Sequence, residues 1–469
     1  MPLFLAAIFL SAFLVFQVQP VIARCILPWY GGSPAVWTTC LLFFQLGLLG
    51  GYAYAHGLVV LLRQHRRLQV GIHLSLLLLA CLALPIVPSP EWKPDGTESS
   101  PLPGIVRLLA LTVGAPYVLL SASGPLLQHW FGESYPGRSP YRLYAVSNLG
   151  SLLGLLTYPF VFEPLLDLRR QAVLWSCGFL AYLLLAAASG LHFAKRSGLR
   201  ADALDAAADD PPPPRWDVLF WITFSACGSM LLLSLTSQMC QDVAVVPFLW
   251  VLPLSLYLGT FVIAFDHARW YVRPVAIPLA ALAVGATIWL MSLQFASYEW
   301  DLGWQILVYC SAVFLCCLVC HGEIVRLKPG PRHLTGFYLA ISLGGALGGL
   351  FVNLVAPAIF KGYWELHLAF VLLAVLTSVQ LWRGKRHGRR PLLLTAGGLV
   401  RIAILVALAV FLRRHIADSQ ALSVETKRGF YGVLRVSDED DHPDASSRSL
   451  HHGRINHGVQ FLDAEHRST

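Results

Sequence analysis

Charged side chains are scarce in this sequence. Only 13% of its 469 residues are Asp, Glu, Lys or Arg, whereas 56% are hydrophobic. A soluble domain carries about 25% charged residues, and a chain this apolar needs lipid as its solvent. The scarcity of charge therefore excludes an ordinary soluble globular protein and indicates an integral membrane protein.

A disulfide framework and a metal-ligand pattern are also missing. Most of the ten cysteines lie inside apolar runs, where cysteine behaves as a small hydrophobe. The run from Cys316 to His321 contains three cysteines and one histidine, but a strong zinc pattern needs a second pair of ligands. We therefore expect neither a metal site nor a cofactor.

The excess of basic residues does not indicate a nucleic-acid partner. The formal net charge is +8, but Lys and Arg lie mainly in short loops between apolar runs. If the N-terminus is cytoplasmic, most of these loops fall on the inner side of the membrane, as the positive-inside rule requires. The sequence therefore predicts a multi-pass protein with a cytoplasmic N-terminus, in contact with the lipid bilayer and not with nucleic acid.

Thirteen apolar runs are long enough to cross a bilayer, which needs about 20 residues. A polar, proline-rich segment leaves six of these runs on either side, before the thirteenth. We predict an all-α polytopic membrane protein, with about 13 transmembrane helices arranged as two parallel six-helix repeats plus one extra helix. The predicted parts are the first repeat at 1–193, a charged cytoplasmic linker at 194–215, the second repeat at 216–390, the thirteenth helix at 391–413 and a short β-rich stub at 422–469.

One block of sequence occurs twice. Residues 144–156 read YAVSNLGSLLGLL and residues 338–350 read YLAISLGGALGGL. A second pair of landmarks, Trp37 and Trp250, opens the second span of each half, where tryptophan is expected to anchor the helix at the membrane interface. Two landmarks in the same order favour an internal duplication, an arrangement found in major-facilitator transporters.

The end of the chain has a different character. Residues 422–469 are polar and contain the short β-like runs 430–436, 449–453 and 457–462. These runs predict two or three strands of a small antiparallel sheet. Arg401 lies within the preceding thirteenth helix, where an arginine is costly in lipid. This helix therefore either packs Arg401 against the bundle or crosses incompletely, and we favour crossing.

Several long motifs resemble those of bacterial proteins described as fused major-facilitator/spermidine synthase-like proteins. The motifs are LSAFLVFQVQPVIARCILPWYGGSPAVWTTCLLFFQ at 10–45, PYRLYAVSNLGSLLGLLTYPFVFEPLL at 140–166, CHGEIVRLKP at 320–329, FYLAISLGGALGGLFVNLVAPAIF at 337–360, and the terminal RGFYGVLRV and LHHGRINHGVQFLD. The resemblance implies a major-facilitator membrane domain in the bacterial inner membrane. It also implies that the stub at 422–469 opens a truncated synthase-like domain.

The synthase-like part of this resemblance is incomplete in the sequence. Aminopropyl transfer needs a βαβ unit with a glycine-rich turn that holds an S-adenosyl substrate. It also needs an acidic residue that accepts a proton from the attacking amine. Neither feature follows Val436, so the chain alone is not expected to catalyse this reaction.

Polar and ionisable residues near span ends are candidates for contacting a solute or a coupling ion. His321 and Glu323 lie at the end of the tenth span, and the alternative is that Glu323 caps this span by pairing with Arg326. Gln241 and Asp242 follow the seventh span, and the alternative there is a solvated loop.

Amides and glycines inside the spans form a second group of candidates. Gln17, Asn148 and Asn353 either contact a solute or form hydrogen bonds between helices. Four glycines of the repeated block are expected to allow close helix packing: Gly150, Gly154, Gly344 and Gly348.

Three functions are consistent with the sequence. The first is a carrier of a small cationic solute such as a polyamine. The second is a membrane anchor or scaffold for a separately encoded synthase-like domain. The third, a complete enzyme, is disfavoured by the missing nucleotide-binding unit.

Overall fold

The structure is a computed structural model that describes residues 1–94, 101–135, 138, 141–195, 211–242, 248–293, 301–383, 396–421, 423–442, 445–452 and 455–462. Within these residues, twelve helices are long and apolar enough to cross a membrane. They are α1 (Pro2–Tyr30), α2 (Ala35–Leu61), α3 (Arg66–Ala83), α4 (Leu102–Ser134), α5 (Leu143–Leu165), α6 (Leu168–Lys195), α7 (Arg215–Cys240), α8 (Leu249–Asp266), α9 (Arg273–Ser292), α10 (Leu302–Arg326), α11 (Leu334–Ile359) and α12 (Glu365–Arg383).

The predicted fold class is confirmed, because the protein is mainly helical and ends in a small sheet. A further helix, α13 (Ala396–Ala421), stands where the thirteenth span was predicted, but it is not one of the twelve candidate spans found among the described residues. Most of the predicted linker, residues 196–210, lies outside the described residues, as does the side chain of Arg401.

The repeated glycine block packs against the first helix of its own half. α5 lies against α1, and α11 lies against α7. A Cβ atom on any of the four glycines would lie within 3.0 Å of a backbone carbonyl oxygen, a separation that real Cβ atoms essentially never show. The pairs are Gly150 with Phe9, Gly154 with Phe13, Gly344 with Ile222 and Gly348 with Ala226. Glycine is therefore the residue that these two helix contacts require.

The duplication extends to the backbone beyond the glycines. In α5 the helix widens to a π-helical segment at Tyr158–Phe162. In α11 it does so at Phe351–Val355. The two segments follow the glycines at nearly the same distance, and a proline lies in or just after each one, at Pro159 and Pro357. A proline lacks the N–H that would continue the α-helical hydrogen bonds, which accounts for a local irregularity in both halves.

Equivalent aromatic residues of the two halves meet at the interface between them. The rings of Trp37 and Trp250 lie 5.9 Å apart, and those of Tyr144 and Tyr338 stack at 4.7 Å with an angle of 11°. Even-numbered helices start at one end of the bundle and odd-numbered helices at the other. The tryptophan pair at the start of α2 and α8 thus marks one end, here the Trp end, and the tyrosine pair near the start of α5 and α11 marks the opposite Tyr end.

The prediction that Trp37 and Trp250 anchor the helices at the lipid interface is wrong. Only 6% of Trp37 and 4% of Trp250 is exposed. Their spacing within each half correctly indicated a repeat, but the pseudo-symmetry brings the two rings together inside the protein. Burial between two halves requires a tertiary contact that composition near a span end does not reveal.

Each half also contains an ion pair between its third and fourth helices. In the first half, Arg66 Nη2 lies 2.5 Å from Glu133 Oε2. In the second, Arg273 Nε donates to Glu323 Oε1 at 2.7 Å, and its Nη2 donates to the other carboxylate oxygen. Both pairs join the start of one helix to the end of the next at the Tyr end, so they fasten the corresponding helix pair in each half.

The C-terminal segment forms a four-stranded antiparallel sheet in the order β1-β2-β3-β4. Its strands are β1 (Glu425–Gly429), β2 (Gly432–His442), β3 (Ala445–His452) and β4 (Ile455–Phe461). The type of structure was predicted correctly, but β1 was missed. Its sequence, ETKRG, has no alternation of apolar residues, and it forms a strand by pairing with β2, from Glu425 opposite Val436 to Gly429 opposite Gly432.

Candidate functional site

A cavity of about 160 Å³ lies between the two halves. Its wall is built from α1, α2, α4 and α5 of the first half and from α7, α8 and α11 of the second. The polar lining residues are Ser11, Gln19, Gln45, Tyr52, Tyr117, Ser121, Tyr144, Ser147, Asn148, Ser151, Ser225, Tyr257, Tyr338 and Ser342. Because both halves contribute, a relative movement of the halves would change the cavity.

The wall of this cavity combines a larger apolar surface with hydroxyl and amide groups, and it carries no formal charge among the described residues. None of its lining residues in the described part of the chain is Asp, Glu, Lys, Arg or His. Hydroxyl and amide groups from facing helices alternate with aromatic rings, including Phe44 and Phe261. Such a wall supplies hydrogen bonds and ring faces, and a charged solute would have no ionic partner within it.

Four polar atoms in the wall lack a hydrogen-bond partner within the described structure: Gln45 Oε1, Ser121 Oγ, Asn148 Nδ2 and Ser342 Oγ. Asn148 is 7% exposed and Ser342 is 6% exposed. A buried polar atom left without a partner costs about 1–3 kcal/mol, so these groups are available to a solute or to water. The Nε2 atom of Gln45 already donates to Ser229 Oγ at 2.9 Å, which fixes the position of its free oxygen.

The Tyr end of the cavity is closed by several contacts between the halves. Beyond the tyrosine stack, the Tyr338 hydroxyl donates to Gln128 Oε1 at 3.0 Å. His56 Nδ1 and Thr335 Oγ1 are 2.9 Å apart. These polar contacts join α4 and α2 to α11. The Trp end is crossed by the Trp37–Trp250 contact, and it contains residues outside the described ranges.

Of the amides predicted from sequence, Asn148 is the one found in the cavity wall. Gln17 is buried on α1 but is not a lining residue; Gln19, two positions along, lines the cavity instead. Asn353 donates to the Gly349 carbonyl of its own helix at 2.9 Å and lies outside the lining.

The candidates at the end of α7 are only partly described. The backbone of Gln241 and Asp242 continues this helix, whereas their side chains lie outside the described residues. Their predicted contact with a solute therefore stays a prediction.

His321 lies behind the cavity wall and not in it. The imidazole is fully buried, stacks on Phe261 with the ring centroids 3.6 Å apart, and has its Nδ1 atom 2.8 Å from Thr260 Oγ1. Its Nε2 atom has no hydrogen-bond partner in the described part of the protein. Because Phe261 lines the cavity, its phenyl ring lies between His321 and the cavity.

Glu323 has a structural partner that differs from the one considered from sequence. Its carboxylate accepts hydrogen bonds from Arg273 and, at 2.6 Å, from the Tyr271 hydroxyl, so pairing with Arg326 is wrong. Burial is the main cause that raises the pKa of the Tyr271 phenol, and the adjacent Glu323 carboxylate raises this pKa further. The phenol therefore remains a donor, and Glu323 is held at the Tyr end, two residues beyond His321.

Sequence reasoning missed Gln45, Ser121 and Ser342, which carry three of the four free polar atoms. Gln45 lies in the apolar run LLFFQLGLL and Ser342 in AISLGG. Gln45 could have been identified from the sequence, because it is a polar residue in the middle of an apolar span. Gly349 lies against the Gln45 amide, where any Cβ would collide with Oε1, so this glycine of the second block makes room for the Gln45 side chain.

Comparisons with solved structures show the fold of the membrane part. A structure of the major-facilitator proton:xylose symporter XylE bound to 6-bromo-6-deoxy-D-glucose is 13% identical, covers 82% of this chain and 95% of that chain, and has a TM-score of 0.51. The inward-open xylose transporter XylE from E. coli is 12% identical over 81% and 95% of the two chains, also with a TM-score of 0.51. The human organic anion transporter MFSD10 is 16% identical over 81% and 97%, with a TM-score of 0.45.

The chain is a multi-pass membrane protein with the major-facilitator fold. No protein-family model matches it, and no curated protein sequence matches it either. The likeness to the two XylE structures is one of fold, since the sequences are only distantly similar. It supports the major-facilitator part of the sequence resemblance, and the synthase-like part stays a prediction.

Proposed function

We propose that this protein is a carrier that moves a small solute across the membrane by alternating access. The observation that carries this proposal is the cavity between two halves related by an internal repeat. In folds of this kind the substrate site lies near the bilayer midplane, at the repeat interface, and the two halves rock about it. The XylE structures support the same reading by fold-level analogy.

The two aromatic pairs are well placed to act as gates. Each pair joins equivalent residues of the two halves, and the pairs lie at opposite ends of the cavity. Rocking of the halves would separate one pair while the other stays in contact. Equivalent contacts on the pseudo-symmetry axis would therefore allow one end to open at a time.

Alternating access requires that each half moves as a rigid unit. The duplicated ion pairs contribute to this rigidity. Arg66–Glu133 and Arg273–Glu323 each join helices within one half. Neither pair crosses the interface, so neither has to break when the halves move. Glu323 is thus assigned to fastening α9 to α10, and His321 remains the candidate coupling group because it lies one ring away from the cavity.

A polyamine is not the solute that the cavity favours. A protonated polyamine needs carboxylate or carbonyl partners, and the described wall offers no carboxylate. The tyrosine faces are the feature of the wall that attracts a cation, through cation–π contacts. Uptake assays should therefore compare spermidine and putrescine directly with uncharged solutes.

The test is flux into vesicles that contain the purified protein. We expect saturable uptake and counterflow of at least one small solute from a panel of polyols, monosaccharides and polyamines. A Ser342→Phe variant should abolish this flux by filling the cavity, whereas Leu282→Phe, at a side chain 69% exposed on α9, should leave it unchanged. Absence of saturable flux for the whole panel would contradict the carrier proposal.

A second candidate function is a membrane anchor for a separate protein, such as the synthase-like domain considered from sequence. The observation that favours it is strand β4, whose residues are exposed along nearly its whole length. An open strand edge can pair with a strand of another chain. An anchor would show no flux and would retain a defined soluble partner through the C-terminal sheet, which separates the two functions.

A further inference from the structure

We infer that the cavity binds a small, uncharged solute rich in hydroxyl groups. This inference rests on the proposed transport function and adds the chemical class of the solute. It starts from the four free polar atoms, Gln45 Oε1, Ser121 Oγ, Asn148 Nδ2 and Ser342 Oγ. They lie on α2, α4, α5 and α11, so a bound molecule would meet them from both halves.

The four atoms differ in the hydrogen bonds that they offer. Gln45 Oε1 only accepts, Asn148 Nδ2 only donates, and the Ser121 and Ser342 hydroxyls do both. A hydroxyl group on the solute can also donate and accept, so a polyol satisfies all four. An ammonium group only donates, so it leaves Asn148 without a partner.

The size of the cavity and the lack of charge in its wall narrow the class of solute further. The volume of about 160 Å³ is below the roughly 300–1,000 Å³ of pockets that take drug-sized ligands. An uncompensated ion in the cavity would pay the full cost of desolvation. Aromatic rings such as Tyr117 and Tyr257 can cover the C–H faces of a small polyol while its hydroxyls reach the amides.

The test measures binding of erythritol, D-xylose, myo-inositol and spermidine to the purified full-length protein in nanodiscs by titration calorimetry. We expect at least one polyol to bind and spermidine not to bind. The variant Asn148→Leu should weaken polyol binding by about tenfold, the effect of one lost hydrogen bond. The matched control Thr287→Val alters a buried hydroxyl on α9 that bonds its own helix, and it should leave binding unchanged.

A second variant separates the solute class from the transport function. Asn148→Asp places one carboxylate in the wall, so it should weaken polyol binding and create binding of spermidine. If wild-type protein binds and transports spermidine alone, the solute class is wrong while the carrier proposal stands. Binding of no polyol, or equal polyol binding by wild type and Asn148→Leu, would overturn the inferred site.

A different part of the molecule supports a second, independent proposal: the β1–β2 hairpin straps the two halves together at the Trp end. Arg428 on β1 forms a bidentate ion pair with Glu365 at the start of α12, at 2.8 and 3.0 Å. The side chains are only 7% and 2% exposed. The same guanidinium donates to the Gly362 carbonyl and lies over the Tyr363 ring. This end of the hairpin is thus fixed to the second half.

Two residues further along, the hairpin contacts the first half. Phe430, at the turn between β1 and β2, packs against the hydrophobic core of α1 to α6. α11 starts at the Tyr end, so the segment after it, which holds Gly362, lies at the Trp end. One short turn therefore spans both halves at the end that also contains the Trp37–Trp250 contact, and separation of the halves there must break the Phe430 contact.

The test uses the full-length protein with spin labels at Gly32 and Leu302, which flank the Trp end in the first and second halves, and at Leu61 and Arg326 at the Tyr end. We expect Phe430→Ala to raise the long-distance population at the Trp end by about tenfold, the effect of one lost aromatic contact. The distances at the Tyr end should not lengthen. The control Val459→Ala, on the exposed strand β4, should change neither distribution.

A purely structural role for Phe430 would lower stability without shifting the distances at one end. Identical Trp-end distributions in folded wild-type and Phe430→Ala protein would therefore overturn the strap. Arg428→Gln provides the second variant, because it releases the other attachment of the same hairpin. It should lengthen the same distance, and lengthening at the Tyr end instead would also contradict the proposal.

Discussion

Gly348→Ala is expected to destabilise the protein, although alanine is the better helix former. The new Cβ would collide with the Ala226 carbonyl of α7, so α7 and α11 would have to move apart. Such overpacking costs about 1–3 kcal/mol and occasionally more, which outweighs the gain of about 1 kcal/mol in helix propensity. The expected result is a lower thermal unfolding midpoint in detergent and a smaller monodisperse fraction on size exclusion.

The neighbouring Gly345 supplies a matched control on the same helix. A Cβ there would meet only Ser225 Oγ, at an ordinary 3.8 Å. Gly345→Ala should therefore leave the midpoint unchanged or raise it, while Gly344→Ala should behave like Gly348→Ala. Equal effects of all three substitutions would show that the close approach of α7 and α11 is not what the glycines provide.

Removal of the Glu323 carboxylate is the second change with a large expected effect. Glu323→Ala would leave Arg273 and the Tyr271 hydroxyl without their shared acceptor in a site where Glu323 is 1% exposed. Breaking a buried ion pair from one side costs about 3–5 kcal/mol. We expect the lower part of this range, because Arg273 is 19% exposed and can reach water. The readout is again the thermal unfolding midpoint of the purified protein.

An exposed ion pair is the control for this experiment. Arg170 and Asp167 pair at 3.4 Å with side chains 73% and 60% exposed, so Asp167→Asn should cause no resolvable change. Restoration of the midpoint in the double variant Glu323→Met/Arg273→Met would further support the loss of a partner as the cause. An unchanged midpoint in Glu323→Ala would contradict the assigned role of this pair.

The sequence predicted the features of the fold that depend on local composition and spacing. Apolar runs of sufficient length predicted the twelve spans, because lipid imposes that length on any crossing helix. The repeated block predicted an internal duplication, and the structure places Gly344 and Gly348 against α7 as it places Gly150 and Gly154 against α1. Small residues at this spacing can be identified from one chain alone.

Contacts between distant helices could not be predicted in the same way. Glu323 had a plausible partner three residues away in Arg326, whereas its actual partner, Arg273, lies fifty residues earlier on α9. Trp37 and Trp250 matched the pattern of interfacial anchors, but the pseudo-symmetry pairs them inside the protein. Which face of each helix points inward decides such contacts, and the nearly uniform hydrophobicity of these helices hides that face.

The residues that line the cavity show the same limit of prediction from sequence. Asn148 was recognised as an amide inside a span, but Gln45 was not selected, and Gln17 was chosen where Gln19 lines the wall. Two positions along a helix rotate a side chain by about 200°, so depth in the membrane alone does not distinguish them. The uncharged character of the wall became evident only when the lining helices were assembled.

The most direct test of alternating access measures distances at both ends in gate variants, without a known solute. Spin labels at Gly32 and Leu302 report on the Trp end, and labels at Leu61 and Arg326 report on the Tyr end. Tyr338→Ala should lengthen the distance at the Tyr end while the Trp end stays short, and Trp250→Ala should do the reverse. If both ends lengthen together, or if neither responds in the folded variants, the two halves do not rock about the central cavity and the carrier account is wrong.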